Sequence, residues 1–169
     1  MEFYVLKKEL EYIDALVNDF ERIAPSNHLN NIAIRSELAG LLLVAICATY
    51  ENMVKQIMIE YADSVHSNFS YYIENNYKKL NSKIQKNDLC NYLKLFSRSK
   101  ENAFTKEMLR YQKLMNGKHP NEKYAQLLEW RHAYAHSKVP MTTIEEAYRH
   151  HRVGKLVIFA FNKAINFSD

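Results

Sequence analysis

A chain of 169 residues, 47% of them apolar, is long enough to bury a hydrophobic core and too apolar to be disordered. Three glycines and three prolines are too few for the tight turns of an all-β fold, and two cysteines make no disulfide framework. The net charge of +4 is uneven: residues 1–77 carry 5 basic and 11 acidic side chains, residues 78–123 carry 12 and 4, and residues 124–169 carry 6 and 4.

The expected product is an all-α, up-and-down bundle of a few long helices in a single domain over residues 1–169. The basic middle third reads either as a surface for a polyanion or as a solvated lysine-rich face. The N-terminus, MEFYVLKKELEYID, is charged and amphipathic, unlike a secretory signal. The most apolar run, LAGLLLVAICATY, is about thirteen residues, short of a bilayer span. A cytoplasmic protein without a membrane partner is the expectation.

The first helix is expected over residues 3–24, with Phe3, Leu6, Leu10, Ile13, Val17 and Phe20 forming one apolar stripe, and Pro25 and Ser26 ending it. Under three heptads, this stripe fits packing within a bundle better than a coiled-coil seam. A long second helix is expected over residues 32–63. It is apolar nearly all round between Leu38 and Tyr50, as befits a central helix covered on several sides. A short helix and a connection follow, where Tyr71, Tyr72 and Tyr77 either stack on bases or pack at a rim. Asn87 or Asp88 is expected to cap the next helix, and another spans residues 100–115. NGKHPNEK is a break, with a helix starting near Asn121 or Glu122. The last helix is capped by Thr142 or Thr143, each with a glutamate at capping-box spacing, and runs to about Phe167. Val153, Leu156, Val157, Ala160 and Ala164 face inward on it. Cys47 and Cys90 read as ordinary small core residues.

One residue sits on the wrong face. On the helix carrying LLEWRHAYAHS, Leu127 and Leu128 flank Arg131 on one side, and Tyr134 and Ala135 on the other. Arg131 is thus centred on the apolar stripe, where an unpaired guanidinium would cost several kcal/mol. It needs a carboxylate, a subunit interface or a bound anion. Glu51 is the acidic member of the otherwise apolar row Val44, Cys47, Ala48, Val54, Met58, and is expected to face Arg131. The competing arrangement is a local pair between Glu51 and Lys55.

His132 and His136, four residues apart, share another face of the same helix. The spacing would suit two zinc ligands, but no glutamate follows the first histidine, and His150 and His151 are third ligands only in principle. No metal or other cofactor is expected. There is no glycine-rich phosphate loop, G-x-S-x-G elbow or local cysteine–histidine pairing. An arginine and a histidine without metal or nucleophile suit a substrate that brings its own nucleophile, as RNA does with its 2′-hydroxyl. Imidazole can take that proton, and arginine can hold the phosphate in two parallel bonds. Arg131 and His136 are about 140° apart around one helix, so a single copy aims them poorly at one phosphate. Two copies across a two-fold axis could aim both pairs into one groove, which predicts a homodimer.

RHAYAHS resembles the R-x-x-x-x-H motif of HEPN domains, and LLLVAICATYENMVKQI resembles their long central helix with an acidic residue at Glu51. The likeness is closest to the RiboL-PSP-like branch. The resemblance implies a metal-independent endoribonuclease, acting as a dimer in toxin–antitoxin, phage-defence or RNA-processing systems, with Arg131 and His136 as the catalytic pair. It also allows a non-catalytic RNA- or nucleotide-binding module, and a helical interaction protein without nucleic acid stays open beside these. Glu51 and His132 would support the pair; histidine is unusual in the slot after the arginine. One branch carries a tyrosine two residues after the motif histidine, modified by its antitoxin; here that position is Lys138, so that control is not expected. An antitoxin or defence partner remains possible, and which residues would bind the RNA is left unassigned.

Overall fold

The computed structural model describes residues 3–77 and 83–167. Among them every regular element is helical: α1 (Phe3–Ile23), α2 (Ile32–Val65), α3 (Ser67–Tyr77), α4 (Lys86–Phe96), α5 (Arg98–Leu114), α6 (Pro120–Ser137), α7 (Ile144–Gly154) and α8 (Leu156–Ile165). The all-α bundle with a long central helix is therefore what the chain forms. The connection at residues 78–82 and the side chain of Phe3 lie outside the described residues.

Amphipathic periodicity explains the first element. Leu6, Leu10, Ile13 and Phe20 are buried along one stripe of α1, with Val17 half-buried beside them. They pack on α2, which also meets α3, α6, α7 and α8. By length and mean hydropathy the stretch Leu29–Val65 could cross a bilayer. Ile46, Tyr50, Val54 and Ile57, none of them exposed, instead make the bundle's core.

The central helix is covered on several sides, as expected, but not on all of them. Ile34, Leu41 and Val44 are 44%, 52% and 40% exposed, on one side of α2. These positions follow seven- and three-residue steps, so they form a strip on one flank.

α2 and α6 run antiparallel in close contact. Near one end a Cβ on Gly40 would lie 2.3 Å from the Tyr134 ring; further along, the Cys47 thiol donates to the Leu127 carbonyl at 3.7 Å. Gly154 lets α7 pack close to α6, since a Cβ there would sit 3.1 Å from the Tyr124 Cα.

Local ends differ from expectation in three places. The cap of α4 is Gln85, whose N–H donates to Asp88 at 3.0 Å, so Asp88 is the third helical residue rather than the cap. α6 starts at Pro120, which is well suited to a first-turn position because it lacks an N–H. The expected last helix is two, α7 and α8, joined at Lys155. Thr143 is the cap of α7, its hydroxyl accepting the Glu146 N–H at 3.2 Å. Leu156 is half-buried, while Val153, Val157, Ala160 and Ala164 face inward as expected.

Candidate functional site

Where α6 lies against α2, a cleft of about 620 Å³ opens along the seam. Cys47 and Glu51 of α2 line it, together with Asn121, Leu128, Glu129, Arg131 and His132 of α6. Its end is closed by Gln85, Lys86 and Asn87 at the start of α4. Helical geometry dictates the membership: Glu51 follows Cys47 by four residues, and Leu128 and Arg131 are three apart, so each wall is one helix face.

Arg131 is the charged residue on the apolar stripe of α6. The residue is half-buried in the cleft wall rather than in solvent. Glu51 lines the same cleft from α2, so the two residues expected to face each other share one cavity. Cys47 lies close enough to feel both: burial pushes its thiol up to about 12, Arg131 pulls it down and Glu51 pushes it further up. A thiol so strongly held in its neutral form is no nucleophile.

His132 lies at the cleft edge and His136 one turn further along, both exposed. Their rings touch edge to face, with centroids 4.5 Å apart. His136 does not line the cleft of a single chain. It follows the mouth of the cleft along α6, toward the helix end, where Lys138 adopts the left-handed capping conformation at φ 58°.

His150 and His151 are packing residues. His151 is buried, with Nδ1 3.0 Å from the Tyr50 hydroxyl and its ring stacked on Tyr50 at 5.7 Å. His150 sits edge-on to Trp130 at 4.7 Å, with Nδ1 2.9 Å from the Glu146 carbonyl. No group of three histidine, cysteine or acidic side chains among the described residues is arranged to hold a metal ion.

The basic middle third divides by use. Lys100 is buried and donates to the Ile165 and Phe167 carbonyls at 2.7 and 2.8 Å, closing the end of α8. Lys94 pairs with Glu101 at 3.1 Å and Arg110 with Glu107 at 3.0 Å. Lys86 instead reaches the cleft. The tyrosines divide similarly: Tyr77 packs edge-on against Tyr92 at 5.3 Å, while Tyr71 and Tyr72 are exposed.

Lys86, Asn87 and Asn121 carry no local sign in the sequence that they border a cleft. They lie tens of residues from Cys47 and Glu51, and polar side chains at helix starts read as caps whether or not they border a cavity. Burial of a charged residue on an apolar stripe was the one local signal, and it pointed to Arg131.

The family model described as RiboL-PSP-HEPN matches residues 2–166. No curated protein and no solved structure shows significant similarity to the chain.

Proposed function

This chain belongs to the RiboL-PSP branch of the HEPN family, whose domains are often ribonucleases, and on that premise we propose a metal-independent endoribonuclease that works as a homodimer. The observation that supports it is the half-buried Arg131 in the α2–α6 cleft, with His132 at its edge and His136 one turn further along α6. A second copy laid on the strip of Ile34, Leu41 and Val44 would close the groove and bring two arginines and two histidines together.

In the proposed reaction the neutral imidazole of one His136 takes the proton of the RNA 2′-hydroxyl. The 2′-oxygen bonds to phosphorus as the bond from phosphorus to the 5′-oxygen breaks. The imidazolium of the second copy gives a proton to the departing 5′-oxygen. The products are a 2′,3′-cyclic phosphate, which water can open to a 3′-phosphate, and a 5′-hydroxyl. Arg131 binds the non-bridging oxygens, where negative charge grows in the transition state. Glu51 orients that guanidinium across the cleft.

The biological role proposed is that of a toxin or phage-defence effector. Purified protein should cleave RNA in EDTA and leave cyclic or 3′-phosphate ends, read by end-specific labelling. Arg131→Ala and His136→Ala should each lower the rate by at least about a hundredfold, the scale of general acid–base catalysis, without loss of helical content. Expression in bacteria should slow growth, and His136→Ala should restore it. Cleavage that needs a divalent metal, or survives both substitutions, ends this reading; RNA binding that weakens with salt but yields no product marks a binding module instead.

A further inference from the structure

The cleft extends well beyond Arg131, to a wall of amide and charged side chains. Asn87 and Lys86 stand at the α4 end, Asn121 at the start of α6, and the carboxylates of Glu51 and Glu129 on either side. The volume of about 620 Å³ lies within the range of small-molecule sites and is more than one phosphate requires.

Asn121 supplies the second observation. Its Oδ1 is fully covered and meets no hydrogen-bond donor among the described residues. An acceptor in that state costs free energy and calls for a partner. Asn121 also lines the cleft, so a ligand seated there can offer this amide a donor.

Resting on the ribonuclease reading, we propose that this cleft is a base pocket, selecting the nucleotide beside the cleaved phosphate for an exocyclic amine next to a ring acceptor. Adenine and cytosine have that edge. Their amine donates to the Asn121 oxygen, and the ring nitrogen accepts from the Asn121 amide, the bidentate pattern that asparagine makes with adenine. Glu51 and Glu129 place carboxylate oxygens nearby, which repel the keto oxygens of guanine and uracil and accept the remaining amine proton. Asn87 supplies a second donor and acceptor. Lys86 holds the adjoining phosphate, while Arg131 holds the one that reacts. Sequence-selective proteins commonly read RNA in this way, by splaying single-stranded bases into pockets.

The test is a set of RNA oligonucleotides identical except for the nucleotides flanking one cleavage position, cut in EDTA. Adenine or cytosine at one flank should give cleavage about tenfold or more faster than guanine or uracil there, the discrimination expected of one bidentate pair. Asn121→Asp preserves size but presents only acceptors, so it should move the preference toward guanine, whose N1–H and N2–H both donate. Asn87→Ala, at an exposed position where folding is not at risk, should narrow the preference. Lys86→Ala should weaken all oligonucleotides alike and lower the salt dependence by about one charge. Equal rates on all four bases, or an unaltered preference in Asn121→Asp, overturn the pocket.

Fluorescence anisotropy with the same oligonucleotides separates this proposal from the nuclease. Arg131→Ala should lose cleavage yet keep the base preference in Kd. A protein that never cleaves but binds with that preference, and changes it in Asn121→Asp, retains the pocket and loses the nuclease. Base-indifferent binding, or none, removes the pocket.

Discussion

His151 shows how a buried side chain sets a pH limit. Its environment lowers its pKa from 6.5 to about 3, chiefly through burial, with Lys155 adding to the shift and Asp14 opposing it. The folded state therefore holds this ring neutral, whereas the unfolded chain protonates it below about pH 6.5. Because the unfolded state binds the extra proton, stability is fully present above that pH and falls as the pH drops toward 3. The loss reaches on the order of 5 kcal/mol, at no more than about 1.4 kcal/mol per pH unit. The double variant His151→Phe/Tyr50→Phe removes the titrating ring and the hydroxyl that faces it. Its urea-unfolding free energy should lose most of this slope between pH 6.5 and 4. A slope equal to that of the wild type would show that other groups dominate acid denaturation.

At the scale of elements, the α2–α6 seam decides whether the site exists. Gly40 is the contact point: a Cβ there would come within 2.3 Å of the Tyr134 ring, three residues beyond Arg131 on the same helix. Gly40→Ala gains about 1 kcal/mol of helix propensity but overpacks the seam, which costs about 1–3 kcal/mol. We expect a net loss of stability and a fall in RNA cleavage, because shifting Tyr134 moves α6 against the cleft. Gly40→Ala/Tyr134→Ala should be markedly more stable than the two single effects added together. Additive effects in that cycle would mean the ring simply swings aside. Sequence pattern located both helices, since apolar periodicity and proline punctuation are local, and it located Thr143 as one of two possible caps. It did not reveal the importance of Gly40, because the ring that needs the space lies 94 positions away.

At the scale of the whole molecule, the open strip on α2 is the feature that calls for a second copy. Leu41 and Val44 are about half-exposed on α2, the helix that also supplies Cys47 and Glu51 to the cleft. Val44→Glu places a charge there without touching the buried core. If the strip is the dimer interface, this variant should sediment as a folded monomer and lose cleavage, with the thermal unfolding midpoint of the dissociated protein little changed. A wild-type protein that is monomeric at micromolar concentration and fully active would remove the dimer from the mechanism.

Local rules in the chain were enough to establish an all-α bundle, its long central helix and the anomalous position of Arg131. Each depends on neighbours within a few residues: helical periodicity, capping spacing, and the cost of putting charge on an apolar face. The cleft was decided only by tertiary packing. It forms where Cys47 and Glu51, residues 85–87 and residues 121–132 meet, and no local energy term records that three separated segments will leave a cavity between them. The same reason explains the open side of α2: its apolar run signals a need for burial, but only the packing of the other helices decides that Leu41 and Val44 stay uncovered.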